Sequence, residues 1–176
     1  MLTIRTAMTT DAACLWDAER RTAMTPGFLA SRPEEILVDA CRAKIETLAN
    51  HGRYVVAELD GTLVGHAFLE PLGMLAAVAH VFQLTMVVHP GHLGRGIGAT
   101  LLKDLLDWVQ RDSRVKKVEL RVRATNQRAI ALYRKFGFVE EGRFRNRIAL
   151  PNGTLADDLS MAWFPPKTMA RTARSQ

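Results

Sequence analysis

The chain has 176 residues, 48% hydrophobic and 24% charged, which excludes disorder and collagen and leaves room for one domain or two very small ones. A formal net charge of +6 suits an anionic ligand but falls well short of a nucleic-acid-binding tail. Two cysteines, Cys14 and Cys41, are too few for a disulfide scaffold and fit a reducing compartment.

The first residues show no basic segment followed by an apolar run, so no secretory signal is expected. The most apolar stretch, residues 72–82, is shorter than the roughly 18–20 residues a membrane span requires. The expectation is a cytoplasmic protein that engages no membrane.

Residues 2–7 read as a short strand, and Thr9 or Thr10 then caps a helix carrying Leu15, Trp16 and Glu19. Pro26-Gly27 breaks the chain. Ser31 and Glu34, with Pro33 between them, have the spacing of a capping box with proline in the first turn. The helix it opens carries Leu37, Cys41, Ile45 and Leu48 and ends near His51-Gly52. Residues 53–58 and 63–70 are strands joined through Asp60-Gly61, a strong hairpin signal.

After a loop over 71–79, the apolar run 80–89 predicts a central strand covered on both faces. A Gly- and His-rich loop follows, then a helix with Ile97, Leu101, Leu102, Leu105 and Val109 at helical spacing. Residues 116–123 form a strand with Val118, Leu120 and Val122 on one face, and 126–135 a short helix closed by Gly137. Residues 138–150 and 159–164 read as a final antiparallel pair. The pattern is mixed α/β, with one domain over 1–164 and a basic flexible tail over 165–176.

The segment HLGRGIGA, residues 92–99, lies between a buried strand and an amphipathic helix. Gly94, Gly96 and Gly98 let the backbone turn tightly and a ligand approach. The helix start offers unpaired N–H groups and the positive end of the dipole, a site for phosphate or diphosphate, with Arg95 beside it. The alternatives are a connector that holds nothing and a dinucleotide site, since GRGIGA fits G-x-G-x-x-A and Glu119 lies about 20 residues on. Against the latter, the motif follows three expected strands and Glu119 sits mid-strand.

The segment NQRAIALYRKFGF, residues 126–138, adds a second motif: Asn126, Ala129, Leu132, Tyr133, Gly137 and Phe138 in the form N-x-x-A-x-x-L-Y-x-x-x-G-F. Together with residues 84–102 it resembles the acetyl-coenzyme A-binding core of the GNAT acetyltransferase superfamily. The resemblance is specific over 84–138, and the flanking elements agree in order only. It departs where the family usually has Arg or Gln, which here is Leu93.

The resemblance implies a GNAT-like mixed central sheet: antiparallel N-terminal strands, a strand-loop-helix cofactor core and a C-terminal antiparallel hairpin. It implies acetyl-coenzyme A (acetyl-CoA) as co-substrate and no metal. The diphosphate would lie on Leu93, Gly94, Arg95, Gly96, Ile97, Gly98 and Ala99, and the pantetheine arm along Met86, Val87 and Val88. Asn126 would contact the cofactor, cap its helix, or both. Tyr133 takes the position of the general acid, with core packing as the alternative.

For the base, Glu70 and His80 sit at strand ends that can face the acceptor, or are simply solvated. His89 and His92 lack the further ligands of a zinc set. By the resemblance Trp16 and Glu19 would lie where the fold shapes an acceptor pocket, with core packing as the alternative for Trp16. The RFRNR cluster, residues 143–147, would recognise a substrate carboxylate or is a charged edge strand. The implied activity is acetyl transfer to a primary amine by direct attack. A small amine or amino acid is the first acceptor and a peptide or protein amine the next, with no nucleic acid as partner and a homodimer left open. A dinucleotide-dependent oxidoreductase, or a non-catalytic protein binding coenzyme A or nucleic acid, is the other reading.

Overall fold

The computed structural model describes residues 1–25 and 29–166. Pro26-Gly27 and most of the expected tail, residues 167–176, lie outside the described residues. In chain order the elements are β1 (Leu2–Thr6), α1 (Ala12–Ala23), α2 (Val38–His51), β2 (Arg53–Leu59), β3 (Thr62–Pro71) and β4 (Val81–Val88). They continue with α3 (Ile97–Arg111), β5 (Lys117–Arg123), α4 (Gln127–Lys135), β6 (Val139–Ala149) and β7 (Leu155–Trp163). The strands form one sheet in the order β1-β2-β3-β4-β5-β7-β6, parallel only between β4 and β5.

Local chemistry sets most of these boundaries. Asp60 and Gly61 adopt φ of 48° and 81°, the left-handed pair that a tight two-residue hairpin needs. The α3 stripe buries Ile97, Leu101, Leu102, Leu105, Leu106 and Val109. A fully buried residue of this kind contributes about 1.5–3 kcal/mol. Gly137, with φ of 89°, ends α4 where a side chain would be strained.

Three expected boundaries differ. Neither Thr9 nor Thr10 caps α1 with its side chain; they begin a 3-10 turn, Thr9–Asp11. There the Asp11 carboxylate accepts the Met8 N–H and a two-pronged contact from Arg5, which holds its pKa down. The reciprocal cap near Pro33 belongs to Arg32 and Glu35, which close a second 3-10 turn, and α2 starts only at Val38. The last strand begins at Leu155 and runs between β5 and β6, so Asp157 and Asp158 lie within it.

Alternation along the strands sorts the two faces of the sheet. Cross-strand pairs Leu69/Leu84, Phe82/Val118 and Leu120/Met161 share the face covered by α3 and α4. The opposite face carries Tyr54, His66 and Phe68 beneath α1 and α2. On that second face the pairs Glu70/Gln83, Gln83/Glu119 and Arg123/Asp158 continue the row into the C-terminal strands. The β4 residues on this side, Gln83 and Thr85, are only half-buried and line a cleft, so the strand is central but not fully covered.

Candidate active site

A cleft of about 800 Å³ opens where β4 and β5 part. Their parallel pairing covers Val81/Lys117, Phe82/Val118 and Gln83/Glu119 and ends there, while β4 stays paired with β3 as far as Val88/Gly65. The β4 edge from Leu84 to Val88 therefore faces the cleft, which also reaches Arg121, Val122 and Arg123 on β5. Main-chain groups on such an unpaired edge offer hydrogen bonds to an extended ligand inserted between the strands.

On the α3 side the glycine turn closes the cleft. Gly94 and Gly96 have φ of 86° and 79°, and Gly96 is the residue from which α3 departs, with no side-chain cap. The first N–H groups of α3, from Ile97 onward, have no intrahelical acceptor and point at the cleft end with the positive end of the helix dipole. A Cβ on Gly98 would lie 3.2 Å from Leu132, so this glycine lets α4 approach α3. The donors, and the gap between the strands beside them, suit a diphosphate joined to a narrow arm.

Arg128, in the first turn of α4, brings its guanidinium over this turn, 3.1 Å from where a Cβ on Gly94 would stand. It was not singled out from the sequence, although it lies two residues after the capping Asn126. Arg95 is exposed and does not line the cleft, whereas Leu93 does. The Asn126 side chain accepts the Ala129 N–H at 3.1 Å, so it caps α4, and it also borders the cleft.

Tyr133 projects from α4 onto the cleft wall, with its ring 5.6 Å from that of Phe138. Burial pushes its phenol up to about 12. Glu70 is bonded to Lys44 of α2 and does not line the cleft. His80 is exposed ahead of β4. Glu119 is engaged by Lys117 at 2.7 Å, so it is not free for a ribose. Trp16 donates its indole N–H to Ile36 at 2.9 Å and packs under Arg20; from α1 it is Thr22 that reaches the cleft. No three His, Cys, Asp or Glu side chains among the described residues converge to hold a metal ion, and no described helix is long and apolar enough to cross a membrane.

Beneath α1 lies a polar chain that the sequence reading did not connect. His89 Nδ1 lies 3.0 Å from the Leu63 carbonyl and so carries its proton there, leaving Nε2 to accept from His66 Nδ1 at 3.1 Å. His66 Nε2 then faces Glu19 Oε1 at 2.9 Å, an ion-pair distance when that imidazole is charged. Burial, then the His66 charge, pushes the His89 pKa down to about 4.

An unfolded imidazole takes up a proton near ~6.5, so below that pH the unfolded chain binds a proton that folded His89 refuses. Stability is therefore expected to fall as pH drops from ~6.5 towards 4, by about 3 kcal/mol from this group once its full difference is felt. Thermal melts across that window should show a shallower fall for His89→Asn, whose amide can still donate to Leu63. Parallel slopes would contradict the assignment.

The family model described as "Acetyltransferase (GNAT) family" matches residues 16–138. "N-alpha-acetyltransferase RimI" of Mycobacterium tuberculosis is 41% identical over 97 residues, 55% of this chain and 58% of that protein. "L-amino acid N-acetyltransferase AaaT" of Escherichia coli is 31% identical over 110 residues, 62% of this chain and 67% of that one. The chain thus spans little more than half of the first relative's length. Among solved structures, the acetyltransferase of GNAT family from Streptococcus pneumoniae superposes with a TM-score of 0.87 at 26% identity, over 93% of this chain and 99% of the other.

Proposed function

The chain belongs to the GNAT acetyltransferase family, and we propose on that premise that it moves an acetyl group from acetyl-CoA to the α-amine of an acceptor by direct attack. The observation that carries the proposal is the cleft itself. It runs from the bare N-terminus of α3 through the gap between β4 and β5 to the polar face under α1.

Acetyl-CoA supplies the activated thioester. The N–H groups at the start of α3, with Arg128 above them, hold its diphosphate, and the open edge of β4 around Met86, Val87 and Val88 holds its arm. Tyr133 keeps its proton at neutral pH and gives it to the departing sulfur. No side-chain nucleophile takes part.

An α-ammonium titrates near ~8, against ~10.4 for a lysine, so an α-amine acceptor provides free base near neutrality without a strong protein base. Two relatives are named an N-alpha-acetyltransferase and an L-amino acid N-acetyltransferase. The expected setting is the cytoplasm.

Acetyl-CoA at about 100 times its dissociation constant should raise the melting temperature by about 5–10 °C. NAD should leave it unchanged. Protection by NAD and none by acetyl-CoA would overturn the proposal.

A further inference from the structure

We propose that the acceptor carries a carboxylate, as a free amino acid does, and that Arg121 and Arg147 grip it on the face of the sheet opposite the diphosphate. This rests on the acetyl-transfer reading and names its acceptor class.

Arg121 shares its face with Gln83, Glu119 and Arg123 by strand alternation, whereas the glycine turn and α4 belong to the face of Leu120 and Val122. A ligand that enters beside Gly96 and passes between β4 and β5 therefore ends near Arg121. The arginines at this exit are separated by the sheet from the diphosphate, which the start of α3 and Arg128 serve.

The second arginine arrives by a bulge. The β6–β7 register breaks between Phe144 and Ile148, and Asn146 takes φ of 51°. Asp157 holds this distortion, accepting the Asn146 N–H at 2.8 Å and pairing with Arg143 at 3.2 Å. Bulges of this kind re-aim side chains beside sites. Here both Arg147 and Ile148 line the cleft, although they stand on an edge strand.

The guanidinium of Arg147 lies 4.7 Å from the centre of the Phe144 ring and that of Arg121 lies 5.5 Å from it. One aromatic platform thus gathers two like charges. Asp158, against Arg147 at 3.8 Å, is the nearest counter-charge, and Arg121 makes no ion pair among the described residues. Two planar forks side by side suit a planar two-oxygen anion, and they repel a polyamine.

The test is thiol release with L-amino acids, their carboxamides, spermidine and a short C-terminally amidated peptide without acidic side chains, using wild type, Arg121→Gln and Arg147→Gln. Wild type should prefer the amino acid over its carboxamide by about ten- to a hundredfold in kcat/KM. Either substitution should collapse that preference mainly through KM while protection by acetyl-CoA persists. A wild-type preference for carboxamide, spermidine or peptide overturns the proposal, as does an unchanged preference in both variants. If wild type gains no protection from acetyl-CoA, the acetyl-transfer reading falls and takes this one with it; protection without a carboxylate preference removes this one alone.

Discussion

Tyr133→Phe is expected to lower kcat by about a hundredfold while leaving thermal protection by acetyl-CoA intact. The substitution removes one oxygen and keeps the ring against Phe138, so packing changes little. General acids contribute roughly 10²–10⁴-fold, and the lower end is expected here for a physical reason. A phenol pushed to about 12 is a weaker acid than an ordinary thiol near ~8.5, so full transfer stays uphill even to the free thiolate, and the phenol acts chiefly by hydrogen-bonding the sulfur as its charge develops. The benefit comes late along the reaction. Single-turnover rates at several pH values would measure it, and an unchanged rate at every pH would refute the acid role while leaving the fold untouched.

Gly96→Val is expected to weaken acetyl-CoA binding by about 100- to 1,000-fold. Position 96 has φ of 79° and directly precedes α3, so a branched side chain there costs about 1–3 kcal/mol in strain. Relaxing that strain turns the first N–H groups of α3 away from the diphosphate, and each charged hydrogen bond lost costs about 1.5–3 kcal/mol more. Calorimetric titration would give the affinity, and circular dichroism would confirm that α3, with its buried stripe, still forms. Binding within tenfold of wild type would show that the turn is only a connector.

The parts legible in the sequence were those whose cause is local. Asp60-Gly61 demands its turn, the α3 stripe repeats at helical spacing, and the glycines announce a backbone that must pass through φ above zero. The start of α2 was misplaced because Ser31 and Glu34 offer the same spacing as Arg32 and Glu35, and only the packed structure chooses between them. The start of β7 was missed because Leu155 is exposed and Ala156 is followed by two acids; pairing with β5 on one side and β6 on the other makes them a strand.

Within the site, the two motifs were readable because each is contiguous. The Glu19–His66–His89 chain and the Arg121–Phe144–Arg147 group were not, since their members lie on different elements and meet only through sheet order and a bulge. Glu70 was read as a strand end for a similar reason, whereas α2 brings Lys44 over it.

Three residue pairs, with the His80 carbonyl accepting from Lys116 and Lys117 just ahead of them, join β4 to β5, so the sheet divides into two plates, one of four strands and one of three, sharing a short seam. Twist applied at either outer edge concentrates there. Altering Val81 or Phe82, neither of which lines the cleft, is expected to change the angle between the plates and with it the width of the gap.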